Sequence, residues 1–336
     1  MTTPAQDADA ARPAILVAGG AGYIGAQTCK ALAQAGYLPV VLDNLSTGHA
    51  PSVKWGPFHQ GDLRDRDLVA GLIARYGVKG AIHFAAFSLV GESATNPLKY
   101  YDNNVGAAVA FTQSLIENGV EAFVFSSTAA VYGVPTISPI PETHATVPIN
   151  AYGASKLAFE SALPWFGAAH PFRWNALRYF NAAGADPDGE TGESHEPETH
   201  LIPNLIKAVL GTGPGLTVFG EDYPTPDGTP IRDYIHVVDL AQAHVLAIGA
   251  LIEGAESGVM NVGTGQGASV KQVIEAAERV LGAPVPRTVG PRRPGDPPSL
   301  VADSTLLKRR LGWRPACSDM DSIIRDAARW QRERTW

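Results

Sequence analysis

A short apolar run, Pro13–Ala18 (PAILVA), passes directly into Gly19-Gly20-Ala21-Gly22-Tyr23-Ile24-Gly25, and few local patterns restrict a fold as tightly. An uninterrupted apolar strand suits a parallel strand buried on both faces. AQTCKALAQAGY follows with apolar positions at helical spacing and Gly36 as its stop. PVVLDN then makes a second strand ending at Asp43. Strand, glycine turn, helix and an acid at the next strand's carboxyl end form one βαβ dinucleotide-binding unit. Gly19, Gly22 and Gly25 let backbone N–H groups approach a pyrophosphate at a helix N-terminus, where the macrodipole favours negative charge. Asp43 can accept from an adenosine ribose diol and would repel a 2′-phosphate, so NAD is expected rather than NADP.

The alternation continues. His59–Asp62 is expected to close a third strand, Asp67–Tyr76 to form a helix and Gly80–Ala85 a fourth strand. His83 in that strand reads as a satisfied core histidine. Leu98–Gly119 reads as one long amphipathic helix and Ala122–Ser127 as a fifth strand. In such sheets ligands bind beyond the carboxyl ends of the strands, which is where Gly25, Asp43, Asp62, Phe84-Ala85-Ala86 and Ser126–Thr128 fall. The fold class is therefore α/β: a Rossmann-type doubly wound parallel sheet with a smaller C-terminal α/β lobe. The expected division is a disordered tail at 1–12, a dinucleotide-binding domain at 13–180 to which 232–262 returns, and a second lobe at 181–336.

Tyr152 and Lys156 stand four apart in AYGASK, so they share one helix face. A phenol beside a fixed ammonium is a proton-transfer unit, because the positive charge stabilises the phenolate. Thr128 brings a hydroxyl to the end of the preceding strand. The totals narrow the function classes. A net charge of -7 with no Lys/Arg block argues against a nucleic-acid partner. Cys29 and Cys317 are too few and too isolated for a disulfide framework or a zinc site, and no metal is expected. The first dozen residues lack a signal peptide's basic and apolar regions, and no apolar run approaches a membrane span, so a cytoplasmic protein with no membrane partner is expected.

GGAGYIG, LDNLSTG, YYDNNV, FSSTAAVYG, YGASK, LRYFNAAGA, RDYIHVVDLA and RRPGD, in this order, resemble the extended short-chain dehydrogenase/reductase family and, within it, the nucleotide-sugar 4-epimerases. The likeness runs from about residue 13 to 330. It implies NAD held by Tyr23 and Ile24 at the pyrophosphate, by Asp43 and Asn44 at the ribose, and by Asp62 and Leu63 at the adenine. Phe84, Ala85, Ala86, Asn103, Lys156 and Phe180 complete the cleft. Ser88 departs from a common lysine near the cofactor, and Thr128 stands where a serine is usual but keeps the hydroxyl.

The same resemblance implies a UDP-sugar substrate. Asn181 would bond the diphosphate, and Arg232 and Arg293 would clamp it, a role that suits the planar guanidinium. Thr217 to Phe219 would frame the uracil, and Asp296 would accept from the UDP ribose. His200 and Leu201 fall where Asn-Leu is usual. Leu300 aligns with a position that governs access for 2-acyl groups. The implied activity is reversible C4 epimerisation of UDP-glucose and UDP-galactose through a transient UDP-4-ketohexose, with Tyr152 as base and acid, assisted by Thr128 and Lys156. UDP-N-acetylglucosamine, UDP-pentose or UDP-uronate epimerases are the alternatives, and a non-catalytic NAD-binding regulator is a further one. A 4,6-dehydratase is excluded, because it uses an acidic pair after the strand-end threonine and this chain has Ala129 and Ala130 there. A homodimer is expected through the Leu98–Asn118 helix and the helix carrying Tyr152.

Overall fold

The computed structural model describes residues 12–293 and 296–336. Apart from Arg12, the tail expected at 1–12 lies outside the described residues, as do Pro294 and Gly295 of the RRPGD stretch. Thirteen strands follow in chain order: β1 Ala14–Ala18, β2 Leu38–Asp43, β3 Phe58–Gln60, β4 Gly80–His83, β5 Ala122–Thr128, β6 Arg173–Tyr179, β7 Asn181–Ala183, β8 Leu216–Phe219, β9 Ile231–His236, β10 Gly258–Val262, β11 Gly267–Ser269, β12 Arg287–Gly290 and β13 Ser299–Leu300.

Seven strands form the large sheet in the order β10-β6-β5-β4-β1-β2-β3. β3, β2, β1, β4 and β5 pair in parallel, with Val17 opposite both Val41 and Ile82. That is the doubly wound pattern, whose order reverses between β1 and β4. Ile15, Leu16 and Val17 are fully buried, so β1 lies inside a sheet covered on both faces. Burying each such side chain stabilises by about 1.5–3 kcal/mol.

Two compact units divide the described chain. The first takes residues up to Thr128, Asn150–Leu177 and Ala241–Met260; the second takes Ala129–Ile149, Arg178–Leu240 and Asn261–Trp336. In the first, the apolar faces of β1, β2, β4 and β5 pack with Phe111, Leu115 and Phe159. In the second, β9 pairs antiparallel with β11 and parallel with β7 and β13, while β8 pairs in parallel with β12. Helices Leu201–Leu210, Val270–Leu281 and Met320–Glu333 share that unit's core through Leu205, Ile274 and Ile324.

Three local expectations change. β3 stops at Gln60, so Asp62 lies in the turn beyond it. The helix expected at Leu98–Gly119 runs from Pro97 to Glu117 and is broken by a π-helical segment, Asp102–Ala107. Such bulges collect at functional sites, and this one contains Asn103. His83 is buried among the Phe111, Phe125 and Phe159 rings, yet neither ring nitrogen has a hydrogen-bond partner. It is a core histidine but an unsatisfied one, and burial pushes its pKa down to about 3, so it stays neutral.

Candidate active site

The candidate residues fall into two groups, one in each unit. In the first unit the glycine turn leaves β1 with Gly19 at φ +80, a left-handed conformation that suits glycine. A Cβ there would lie 2.6 Å from the Ala85 amide nitrogen, so the turn and the Phe84-Ala85-Ala86 loop pack backbone to backbone. Both Phe84 and Ala85 donate their amides to the Ala18 carbonyl, at 2.7 and 3.2 Å. Gly25 fits closely under the Gly19 carbonyl, where any side chain would collide. Gly22 caps the helix Tyr23–Gln34 with no side-chain hydrogen bond, and a Cβ on it would meet nothing nearer than 3.4 Å. A bare helix N-terminus behind an open glycine face, at the point where strand order reverses, fits a pyrophosphate.

Asp43 ends β2 and is buried. Its Oδ2 accepts from the Ala21 amide at 2.9 Å and its Oδ1 from the Leu45 amide at 2.8 Å. Burial pushes its pKa up, and these two amides pull it back. Each carboxylate oxygen keeps a further lone pair for a ribose hydroxyl. Asn44 follows on the surface and accepts from the Ser46 amide at 3.0 Å. Leu45 sits at φ +60, a strained value for a branched side chain and a feature the sequence does not announce. Asp62 accepts from the Arg64 amide at 2.9 Å, whereas Leu63 is buried in the hydrophobic core.

Helix Ala151–Glu160 is capped by Asn150, which accepts from the Gly153 amide at 2.8 Å. Tyr152, Lys156 and Glu160 follow at four-residue steps, all buried. Lys156 is 2% exposed, and its Nζ lies 4.6 Å from the centre of the Phe125 ring. Desolvation pushes its pKa down to about 7, and the Glu160 carboxylate opposes that drop. Glu160 in turn accepts from the Ser127 hydroxyl at 2.6 Å. Thr128, also buried, ends the same strand. The sequence reading missed Glu160, although it lies four residues past Lys156 on the face already identified. It also missed Asn104, whose side chain bonds the Phe87 amide and carbonyl at 2.9 and 3.0 Å and the Ser155 hydroxyl at 3.1 Å. Asn104 thereby ties the loop after β4 to the helix bearing Tyr152. Asn103, its neighbour, donates to the Asn104 Oδ1 at 3.0 Å.

In the second unit Arg232 lies on β9 and forms an ion pair with Asp296, while its Nη1 donates to the Ile231 carbonyl at 2.7 Å. The two residues assigned separately to diphosphate and ribose thus engage one another in this state. Arg293 stands over the Phe219 ring, 4.2 Å from its centre, which joins the end of β8 to the arginine loop. Thr217 sits within β8, paired with Thr288. Asn181 opens β7 beside Tyr234. Phe180 is buried, its amide donating to the Val262 carbonyl at 3.3 Å. Leu300 is the register neighbour of Arg232 on β13.

Asp233, which the sequence reading also missed, is fully buried and accepts from the Thr264 and Gly265 amides at 2.8 and 3.0 Å, from the Thr264 hydroxyl at 2.7 Å and from the Ala302 amide at 3.1 Å. Side chains alternate along a strand, so anchoring Asp233 inward turns Arg232 to the other face. His200 is the N-cap of helix Leu201–Leu210, but its ring turns to Glu193 and Glu198. Leu201 packs on the core of that unit.

A family profile described as the NAD dependent epimerase/dehydratase family matches residues 15–263. The chain belongs to that family. It is 48% identical over 317 residues to the UDP-glucose 4-epimerase of Lacticaseibacillus casei, covering 94% of this chain and 96% of that protein. Among solved structures, the UDP-glucose 4-epimerase of Brucella ovis in complex with NAD superposes with a TM-score of 0.92 at 49% identity, covering 94% of this chain and 97% of that one. The UDP-glucose-4-epimerase of Stenotrophomonas maltophila with bound NAD and formylated UDP-arabinopyranose gives 0.93 at 40% identity, covering 96% and 98%. Among the described residues no helix is long and apolar enough to cross a membrane.

Proposed function

We propose that this protein is a NAD-dependent epimerase that interconverts UDP-glucose and UDP-galactose by inverting C4 through a transient UDP-4-ketohexose. The observation that carries the reading is the buried face Tyr152–Lys156–Glu160 in the same compact unit as a strand-end Thr128 followed by two alanines rather than an acidic pair. Family membership and the likeness to epimerases over nearly the whole chain support it.

Gly19, Gly22, Tyr23, Ile24, Gly25, Asp43, Asn44, Asp62, Leu63, Phe84, Ala85, Ala86, Asn103, Lys156 and Phe180 are the residues assigned to NAD. Bound NAD supplies a reversible hydride acceptor for the sugar C4. Tyr152, as phenolate, takes the proton from the 4-hydroxyl, with the Thr128 hydroxyl bridging sugar and phenol, and would return it to the same oxygen once hydride has gone back to the opposite face of C4. Lys156, when protonated, supplies the positive charge that stabilises the phenolate, and Glu160 favours that charged form against the cost of burial. Arg232 and Arg293 hold the diphosphate, with Asn181, His200, Leu201, Thr217, Phe219 and Asp296 along the nucleotide. Asp296 then exchanges its arginine partner for the ribose, which frees the Arg232 guanidinium for the diphosphate. Anchoring through the nucleotide leaves the hexose free to turn over, which inversion at one carbon requires.

The reading places the protein in the cytoplasm as a homodimer. Leu98, at 81% exposed, shares the Pro97–Glu117 run with exposed Tyr101 and Val109, and Trp165, at 75%, is exposed on the short helix Leu163–Ala169 that follows the one carrying Tyr152. A second subunit would cover these apolar side chains. The deciding assay presents the purified protein in turn with UDP-galactose, UDP-N-acetylgalactosamine, UDP-arabinose and UDP-galacturonate. Fastest turnover of UDP-galactose is expected. A faster rate on any of the others would reassign the substrate, and no interconversion of any by NAD-loaded protein would leave a binding protein.

A further inference from the structure

Between Glu193 and His200 the second unit folds four donor side chains onto one another. The Glu193 Oε1 lies 2.6 Å from His200 Nδ1 and 3.1 Å from His195 Nδ1. On the other side, Glu198 Oε1 lies 3.0 Å from His200 Nδ1, and Glu198 Oε2 lies 4.0 Å from His195 Nδ1. One ligand atom from each residue falls within 4.8 Å of all the others. The Glu198 side chain is 3% exposed, and its Oε2 is buried without any hydrogen-bond partner. A carboxylate oxygen left dry in that way is costly unless a cation or donor meets it.

We propose that Glu193, His195, Glu198 and His200 form a four-coordinate site for zinc or a similar first-row divalent cation. Two imidazoles and two carboxylates match the donor set zinc takes, whereas magnesium and calcium prefer oxygen alone. With neutral imidazoles the cluster carries two negative charges, which one divalent ion cancels. Bonds of about 2.0–2.2 Å place tetrahedral ligands roughly 3.3–3.6 Å apart, so the 2.6 Å contact opens and the 4.0 Å contact closes by about one ångström or less. Supporting bonds hold the ligands from behind. Glu198 Oε1 accepts from the Thr199 and His200 amides at 2.8 Å each, Trp330 Nε1 donates to the Glu193 carbonyl at 2.9 Å, and Arg334 donates to the Ser194 hydroxyl at 2.7 Å. Those helix-terminal amides and Arg334 oppose a cation, and the four ligands must outweigh them. Both histidine side chains are partly exposed, so an ion can enter from solvent.

The site is a structural staple, closed by protein ligands alone. It pins the segment that enters helix Leu201–Leu210 and so fixes His200 and Leu201, against the expectation from the two cysteines that the chain binds no metal. The proposal stands independently of the epimerase reading, because its readout is bound metal. Tag-free, chelator-stripped full-length protein is titrated with ZnCl2 or MgCl2 by calorimetry, and metal retained after gel filtration is counted. One zinc per chain is expected, with a melting temperature raised by about 4 °C at a hundredfold excess over Kd and no effect of magnesium. His195→Ala and Glu198→Gln, each checked for native circular dichroism, should weaken zinc binding at least tenfold. Absence of bound zinc in the wild-type protein, equal binding in both variants, or equal binding of magnesium would overturn the proposal.

Discussion

The two groups of candidate residues are built by different means. In the first unit the cofactor assignments rest largely on backbone: a left-handed glycine, a second glycine beneath a carbonyl, a helix end without a side-chain cap, and a carboxylate held by two amides. In the second unit the substrate assignments rest on long side chains whose charges are already paired, Arg232 with Asp296, or laid on a ring, Arg293 on Phe219. Backbone cradles suit a group that stays bound through every turnover. Exchangeable ion pairs suit one that must arrive and leave.

The variants that would break this contrast can be ranked by expected effect. Tyr152→Phe should lower kcat by about 10² to 10⁴-fold with NAD content unchanged, measured by coupled assay and by cofactor release; a variant near wild-type rate would remove the tyrosine from the chemistry. Gly19→Ala forces a side chain against Ala85 at positive φ, a strain of about 1–3 kcal/mol. Lower NAD content and a lower melting temperature should appear together, while unaltered cofactor retention would contradict the close-packed turn. Arg232→Ala should raise KM for the UDP-sugar about 10- to 100-fold, from the loss of a charged hydrogen bond worth roughly 1.5–3 kcal/mol, and should leave NAD content alone. A parallel loss of NAD would merge the two groups.

Glu160→Gln sharpens the contrast from within the first unit. Burial lowers the Lys156 pKa to about 7, and Glu160 is the group that opposes that drop. Without that charge Lys156 loses its proton at lower pH, and the phenolate loses its counter-charge. The acid limb of kcat against pH should therefore move upward, with kcat at pH 7 lowered by about tenfold. A profile that coincides with wild type would make Glu160 structural only.

Much of this was legible in the chain because its signals are local. The glycine turn and Asp43 lie within one βαβ unit, and Tyr152 and Lys156 lie within one helical turn. The parts that were not legible depend on partners far apart in sequence. Asn104 reaches Ser155 across 51 residues, Ser127 reaches Glu160 across 33, and Asp233 reaches Thr264 across 31 and Ala302 across 69. No periodicity encodes such pairings. The π-helical segment escaped for another reason: YYDNNVGAAVAF keeps helical spacing, and a single widened turn leaves that pattern intact.

The pairing of β13 with β9 carries a consequence for anyone altering substrate choice. Leu300, the position expected to govern room for the 2-substituent, is the register neighbour of Arg232, and both strands are tied to Asp233 through its own strand and the Ala302 amide. On the proposed assignments, selectivity for the sugar and grip on the nucleotide would be mechanically linked, so substitutions at 300 and 232 should show epistasis. A library that varies Leu300 alone samples pocket size with the anchor held in one pose; varying both together opens sequence space that neither reaches singly.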